Sequence, residues 1–206
     1  NGTTVTVTNT QLLLRGTRML KPFYISGSDT HRLSVLVANN NITAMDWSTT
    51  GFLGSSDYTA PVMMTGNFMR ETNVTVAGNF VKAHTMRNAT NRYCRGVYAS
   101  TNTFLRSSIA VIGNAIDVVA PNAPYGVYFY QNEFERTSLS VRDNVANVRS
   151  NRSSSFQYFF FDQQNTHLWG NVTVAGNNAT ANCSYATSTV TRVYYITGTV
   201  STYTSY

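Results

Sequence analysis

The chain has 206 residues, of which 12% are charged and 13% aromatic, with a formal net charge of +6 and a sequence pI of about 9.5. No run approaches the ~20 apolar residues of a membrane span, and the N-terminus lacks the basic-then-apolar layout of a signal peptide. The arginines are scattered, without a basic run or a nucleic-acid-binding motif, so the positive charge reads as a solvated surface and nucleic acid is not an expected partner.

Taken in chain order, the first structured run is Val5-Thr6-Val7, an alternating strand pattern. At Phe23 a short apolar run opens, and twelve residues later an alternating one opens at Val35. The pair recurs as Val62 and Val74, Val97 and Ile109, Val127 and Leu139, and Phe160 and Val172. A spacing held through the chain predicts a solenoid whose two strands keep a fixed register. Five residues past each first anchor stand Ser28, Asn67, Asn102, Asn132 and Asn165, and seventeen past it stand Asn40, Asn79, Asn114, Asn144 and Asn177. Parallel stacking would place each series one above another at about 4.8 Å, where amide side chains can bond along the stack. A third alternating run follows, with Ile42 and Ala44, Val81 and Ala83, Ile116 and Val118, Ala146 and Val148, and Ala179 and Ala181. The stretches 46–60, 84–96, 119–126, 149–159 and 182–192 vary in length and are rich in Asn, Ser, Thr, Gly and Arg, as loops on one edge would be.

The expected fold is therefore all-β: a parallel β-helix of about six coils with three short strands per coil, forming a single domain over residues 1–206. Neither end carries a capping helix. That leaves two readings, a piece of a longer chain or copies stacked head to tail through Val5 and Val7 at one end and Val193 and Tyr195 at the other.

This pattern resembles the right-handed parallel β-helix of pectate lyases and phage tailspikes over nearly the whole chain. Within that class, Val74-Thr75-Val76-Ala77-Gly78-Asn79 and Leu139-Ser140-Val141-Arg142-Asp143-Asn144 are similar in wording to the large dispersed-gene-family surface proteins of trypanosomatids. The resemblance implies the architecture; activity has to be argued from the residues of a site.

Eight Asn-x-Ser/Thr sequons occur, at Asn1, Asn41, Asn73, Asn88, Asn151, Asn171, Asn178 and Asn182. None coincides with a ladder asparagine. Asn41, Asn73, Asn171 and Asn178 sit one residue from an inward position, and Asn88, Asn151 and Asn182 fall in the expected loops. Decoration by N-glycans at an extracellular or cell-surface location is the expectation, against a background in which sequons arise from composition alone.

An enzyme would need carboxylates, with or without Arg, on an exposed strand face. Asp29, His31, Arg32, Arg70, Glu71, Arg106, Glu133, Glu135 and Arg136 lie between the first and second strands at corresponding offsets and form a stripe, of which Glu133, Glu135, Glu71 and Arg106 are the candidate catalytic members. The column Arg32, Glu71, Arg106, Arg136 equally reads as cross-coil ion pairs. Asp162 stands where other coils carry Ile25, Met64, Ala99 and Phe129, which a local register shift and a functional role explain equally well. Tyr24, Met63, Tyr98, Tyr128, Phe161 and Tyr194 share one offset: facing outward, the rings could stack on sugars, and facing inward or under loops, they are core.

Cys94 and Cys183 lie about three coils apart, too far for a direct bridge unless the last loop folds back, so free thiols or a bond between stacked copies are the expected readings. No Cys or His spacing suggests a metal, no motif suggests a cofactor, and His31, His84 and His167 read as surface residues. Together these features point to a non-catalytic, glycosylated structural or adhesive module. The alternative is part of a tailspike, lyase or hydrolase that binds or cleaves surface glycans.

Overall fold

A computed structural model describes residues 2–16, 20–47, 58–85, 93–121, 123–150, 156–183, 191–198 and 200–202. Every strand pairing among them is parallel and joins one coil to the next, which makes the chain an all-β parallel solenoid of about five turns. Four sheets run along it. Sheet one stacks Phe23–Ser26, Val62–Thr65, Tyr93–Ser100, Pro124–Tyr130, Gln157–Gln163 and Thr191–Thr197, with Tyr58–Thr59 as a short extra partner of Tyr93–Ser100. Sheet two stacks Asp29–His31, Phe68–Arg70, Thr103–Leu105, Glu133–Glu135, Thr166–Leu168 and Val200–Thr202. Sheet three stacks Thr3–Thr8, Leu33–Ala38, Asn73–Ala77, Ser108–Ile112, Ser138–Arg142 and Asn171–Ala175. Sheet four stacks Gln11–Gly16, Asn41–Asp46, Phe80–Thr85, Ala115–Ala120, Val145–Ser150 and Asn178–Cys183.

The three-residue strands of sheet two were not anticipated. They fit inside the twelve-residue gap between anchors, where each contributes one inward side chain: Met69, Phe104 and Phe134 are fully buried. The anchors behave as their spacing requires, because Val62 pairs with Val97, Val97 with Val127 and Val127 with Phe160, all in one apolar core with Val74, Ile109, Leu139 and Val172. Full burial of each such side chain contributes roughly 1.5–3 kcal/mol.

Both asparagine ladders form. The backbone amide and Nδ2 of Asn79 donate to Oδ1 of Asn114 at 3.0 Å each, and the series continues from Asn40 to Asn177. The other ladder runs from Ser28, whose amide donates to Asn67 Oδ1, up to Asn165. Successive ladder contacts separate residues 39, 35, 30 and 33 positions apart, so the coils differ in length while the corners stay aligned.

A hydroxyl ladder at the corner between sheets two and three escaped the sequence reading. The Thr72 amide donates to Ser107 Oγ, and the Ser107 amide to Thr137 Oγ1. At all three corners the residue before the ladder position has positive φ. At the second corner these residues are Arg32, Glu71, Arg106, Arg136 and Trp169. Non-glycine residues hold this left-handed geometry at a modest cost, and the inter-coil ladder runs straight through them: the Arg106 amide donates to Glu135 O at 2.8 Å.

Strict alternation slips once in sheet one. Cys94 and Val97, three residues apart, both lie in the core, and between them a Cβ on Gly96 would stand 2.5 Å from Gly126 O. Beyond the slip alternation resumes, with Val97 and Ala99 in the main core and Tyr98 buried in a second cluster on the outer side of the sheet. Strands also extend into the stretches expected as loops: Asn182 lies in a strand of sheet four, and Pro124–Tyr130 begins within 119–126.

Candidate functional site

Three of the outward surfaces carry the candidate residues, and one of these is closed. Met63, Tyr98, Tyr128 and Phe161 are in register, as expected, but they are buried with Ala60, Ala123, Tyr125 and Tyr158 in a second apolar cluster outside sheet one. Their rings stack on one another at 5.3 Å for Tyr98 with Tyr128 and 5.0 Å for Tyr128 with Phe161. The Arg95 guanidinium stands 4.0 Å over Tyr98. Burial pushes the hydroxyls of Tyr125 and Tyr128 above the ordinary tyrosine range. At 5–6% exposure these faces are taken by one another, so the ladder is the loop-covered core of the two readings.

The ladder ends on Tyr195, not Tyr194. Phe161 pairs with Tyr195, whose ring stacks on it at 5.3 Å, while Tyr194 takes the position above Phe160. Tyr24 and Tyr194 keep nearly half their surface. Of the residues expected in self-association, Val5 is exposed and Val7 half-buried on Thr3–Thr8, Val193 packs against the main core, and Tyr195 packs on Tyr158 and Phe161.

The second surface is the corner and outer face of sheet two. Arg32, Glu71, Arg106 and Arg136 occupy the corner between sheets two and three. Arg32 Nε donates to Glu71 Oε2 at 2.9 Å, with His31 Nε2 3.4 Å from the same oxygen. The Arg32 hydrogen bond holds the Glu71 carboxyl below the usual carboxylate range. Glu133 and Glu135 flank buried Phe134 and so share the outer side of their strand, about 6.6 Å apart along the backbone. Glu133 helps line an open polar groove with Thr101, Gln131 and Gln164.

Outer sheet four is the third surface. Asn41, Phe80, Ala115, Val145 and Asn178 form one register column, and Asp117, Asn147 and Thr180 share the next. Asp117 accepts from Asn147 Nδ2 at 3.2 Å and Arg149 Nη2 at 3.3 Å, and lies 2.7 Å from His84 Nε2. Burial pushes the Asp117 carboxyl up. The hydrogen bond and charge of His84, with those of Arg149, outweigh this and leave it below the usual range. Together the two columns line a groove of about 370 Å³.

Among the described sequons, Asn41, Asn73, Asn171, Asn178 and Asn182 are all exposed. Asn1, Asn88 and Asn151 lie outside the described residues. No ladder asparagine is exposed.

One histidine and one carboxylate depart from expectation. His167 is 1% exposed, not a surface residue: it occupies the inward column of Met69, Phe104 and Phe134, and its ring stacks on Phe134 at 4.7 Å. Its Nε2 lies 3.0 Å from Oδ2 of Asp162, whose Oδ1 accepts from Asn165 Nδ2. Asp162 therefore needs no register shift, because it pairs with Phe129 in line and finds its partners inside the core. The signal was available: Thr30, Met69, Phe104, Phe134 and His167 each stand seven residues past an anchor.

Cys94 is a buried free thiol 3.1 Å from Thr85 Oγ1, and burial pushes its pKa up to about 12. The side chain of Cys183 lies outside the described residues. Among the described residues, no three His, Cys, Asp or Glu side chains gather as a metal site. Comparison with known proteins gives no match to a family model, a curated sequence or a solved structure. The class is thus defined by architecture: a parallel β-solenoid.

Proposed function

We propose that the chain is a stiff, N-glycosylated extracellular module with a structural or adhesive role. The observation that carries this reading is the division of its asparagines. Those of the ladders are withdrawn from solvent and bonded coil to coil, whereas the described sequon asparagines stand on outer faces. Continuous inter-coil bonding resists bending, and an outer surface of Asn, Ser and Thr suits a protein that works by presenting itself. Secretion from a glycosylating host followed by intact-mass measurement before and after N-glycan removal tests it. Loss of sugar mass mapping to Asn73 or Asn171 is the expected result, and an unmodified mass overturns the reading. Self-association through Val5, Val7, Val193 and Tyr195 belongs to the same proposal. Replacing Val193 and Tyr195 by Lys is expected to abolish it.

The polar groove beside Glu133 favours a second reading, in which a surface polysaccharide is ligand or substrate. Under it, Glu133→Gln or Glu135→Gln removes cleavage of capsule polysaccharides.

A further inference from the structure

On outer sheet four an apolar run of one column, Phe80, Ala115 and Val145, is flanked by sequon asparagines, Asn41 below and Asn178 above. A lone exposed hydrophobic residue needs no explanation. Here Phe80 at 44% and Val145 at 59% exposure stand on either side of the small Ala115, leaving a notch whose floor is apolar. The flank of the notch is polar and already ordered, because Asp117 holds Asn147 in place by accepting from its Nδ2.

A pyranose has the complementary shape: one face of C–H groups that packs on an aromatic ring, and a rim of hydroxyls and acetamide that needs hydrogen bonds. Asn178 is itself a wall of the groove. A sugar attached there starts at the groove mouth, and Phe80 lies three strand spacings away, about 14 Å. Tethering removes the entropy of capture that a free sugar would have to overcome.

We propose that outer sheet four is the docking site for the chain's own N-linked glycan at Asn178. Its N-acetylglucosamine core lies over Val145 and Ala115 and reaches the ring of Phe80, with Asn147 and Asp117 along its polar edge. The inference rests on the glycosylated reading above and adds to it a bound conformation for one sugar.

The test uses protein secreted by a glycosylating host, with the other sequons removed by Asn→Gln and the glycan labelled at its acetyl methyl groups. Glycopeptide mass spectrometry first establishes occupancy at Asn178. The acetyl methyl resonance is expected to be displaced upfield by the Phe80 ring, to keep that displacement in Phe80→Tyr, and to lose it in Phe80→Ser. Circular dichroism of each variant confirms that the solenoid is intact. Sugar present at Asn178 with free-glycan resonances in all three proteins overturns the docking while leaving glycosylation standing. An unoccupied Asn178 overturns both at this site.

Discussion

The backbone amide and the side-chain Nδ2 of Asn114 both donate to a single atom, Oδ1 of Asn144, at 3.0 Å each. The same Nδ2 donates to Val76 O at 2.9 Å on the coil below, so one buried amide ties its own coil to both neighbours. Asn114→Ala keeps the backbone bond but removes both Nδ2 bonds, and it strips the acceptor from the amide and Nδ2 of Asn79. Several buried polar groups then lack partners at about 1–3 kcal/mol each. A destabilisation of about 3–5 kcal/mol is expected in urea titration. Ser28→Ala, at an exposed hydroxyl on the lower end of the other ladder, should change stability by less than about 0.5 kcal/mol.

Asp162 and His167 form a polar island between apolar columns. Removing one partner by His167→Ala leaves a buried carboxylate without its ring contact and is expected to cost about 3–5 kcal/mol. Replacing both, as Asp162→Met with His167→Phe, restores the chemistry of Met64 and Phe104 in the same columns. The double variant should then be at least as stable as the parent, with the coupling read from a double-mutant cycle in denaturant.

The Cys94 thiol is held protonated well above its ordinary 9.0. Between pH 9 and about 12 the unfolded chain releases this proton and the folded chain keeps it. Stability is therefore fully present below pH 9 and falls as pH rises through that window, by up to about 1.4 kcal/mol per pH unit. Tyr125 and Tyr128 act with the same sign from about pH 10 upward. Cys94→Ala should flatten the first part of the alkaline limb. In a Cys183→Ser background, native protein at pH 8 should resist iodoacetamide until denaturant is added.

Thr30 Oγ1 is buried without a hydrogen-bond partner, in the column that continues as Met69 and Phe104. Thr30→Val keeps the shape and removes the unpaired hydroxyl. A gain of about 1 kcal/mol is expected in thermal or urea unfolding.

The coils were legible in the sequence because a twelve-residue spacing and two asparagine series repeat through loops of changing length. Sheet two was not, because a strand such as Phe68–Arg70 buries a single residue, Met69, and one residue carries no alternation. The charged column of Arg32, Glu71, Arg106 and Arg136 was legible as a stripe between strands, but the tight corner it occupies was not, because positive φ at Arg or Glu has no mark in residue type. The Tyr194 and Tyr195 assignment slipped because both are aromatic and both fit the pattern. On outer sheet four, the notch emerges only when Phe80, Ala115, Val145 and Asn178, far apart in the chain, are brought into one column.

The solenoid rises by one strand spacing per coil. Thr6 and Thr173 are exposed, share the outer column of sheet three and are linked through Leu36, Thr75, Ala110 and Ser140. Five spacings place their backbones about 24 Å apart. Spin labels at these two positions, in a Cys94→Ala, Cys183→Ser background, report this distance by double electron–electron resonance. A narrow distribution centred near that separation, allowing for the label arms, is the predicted result. A broad distribution, or a mean far from it, would contradict the stack.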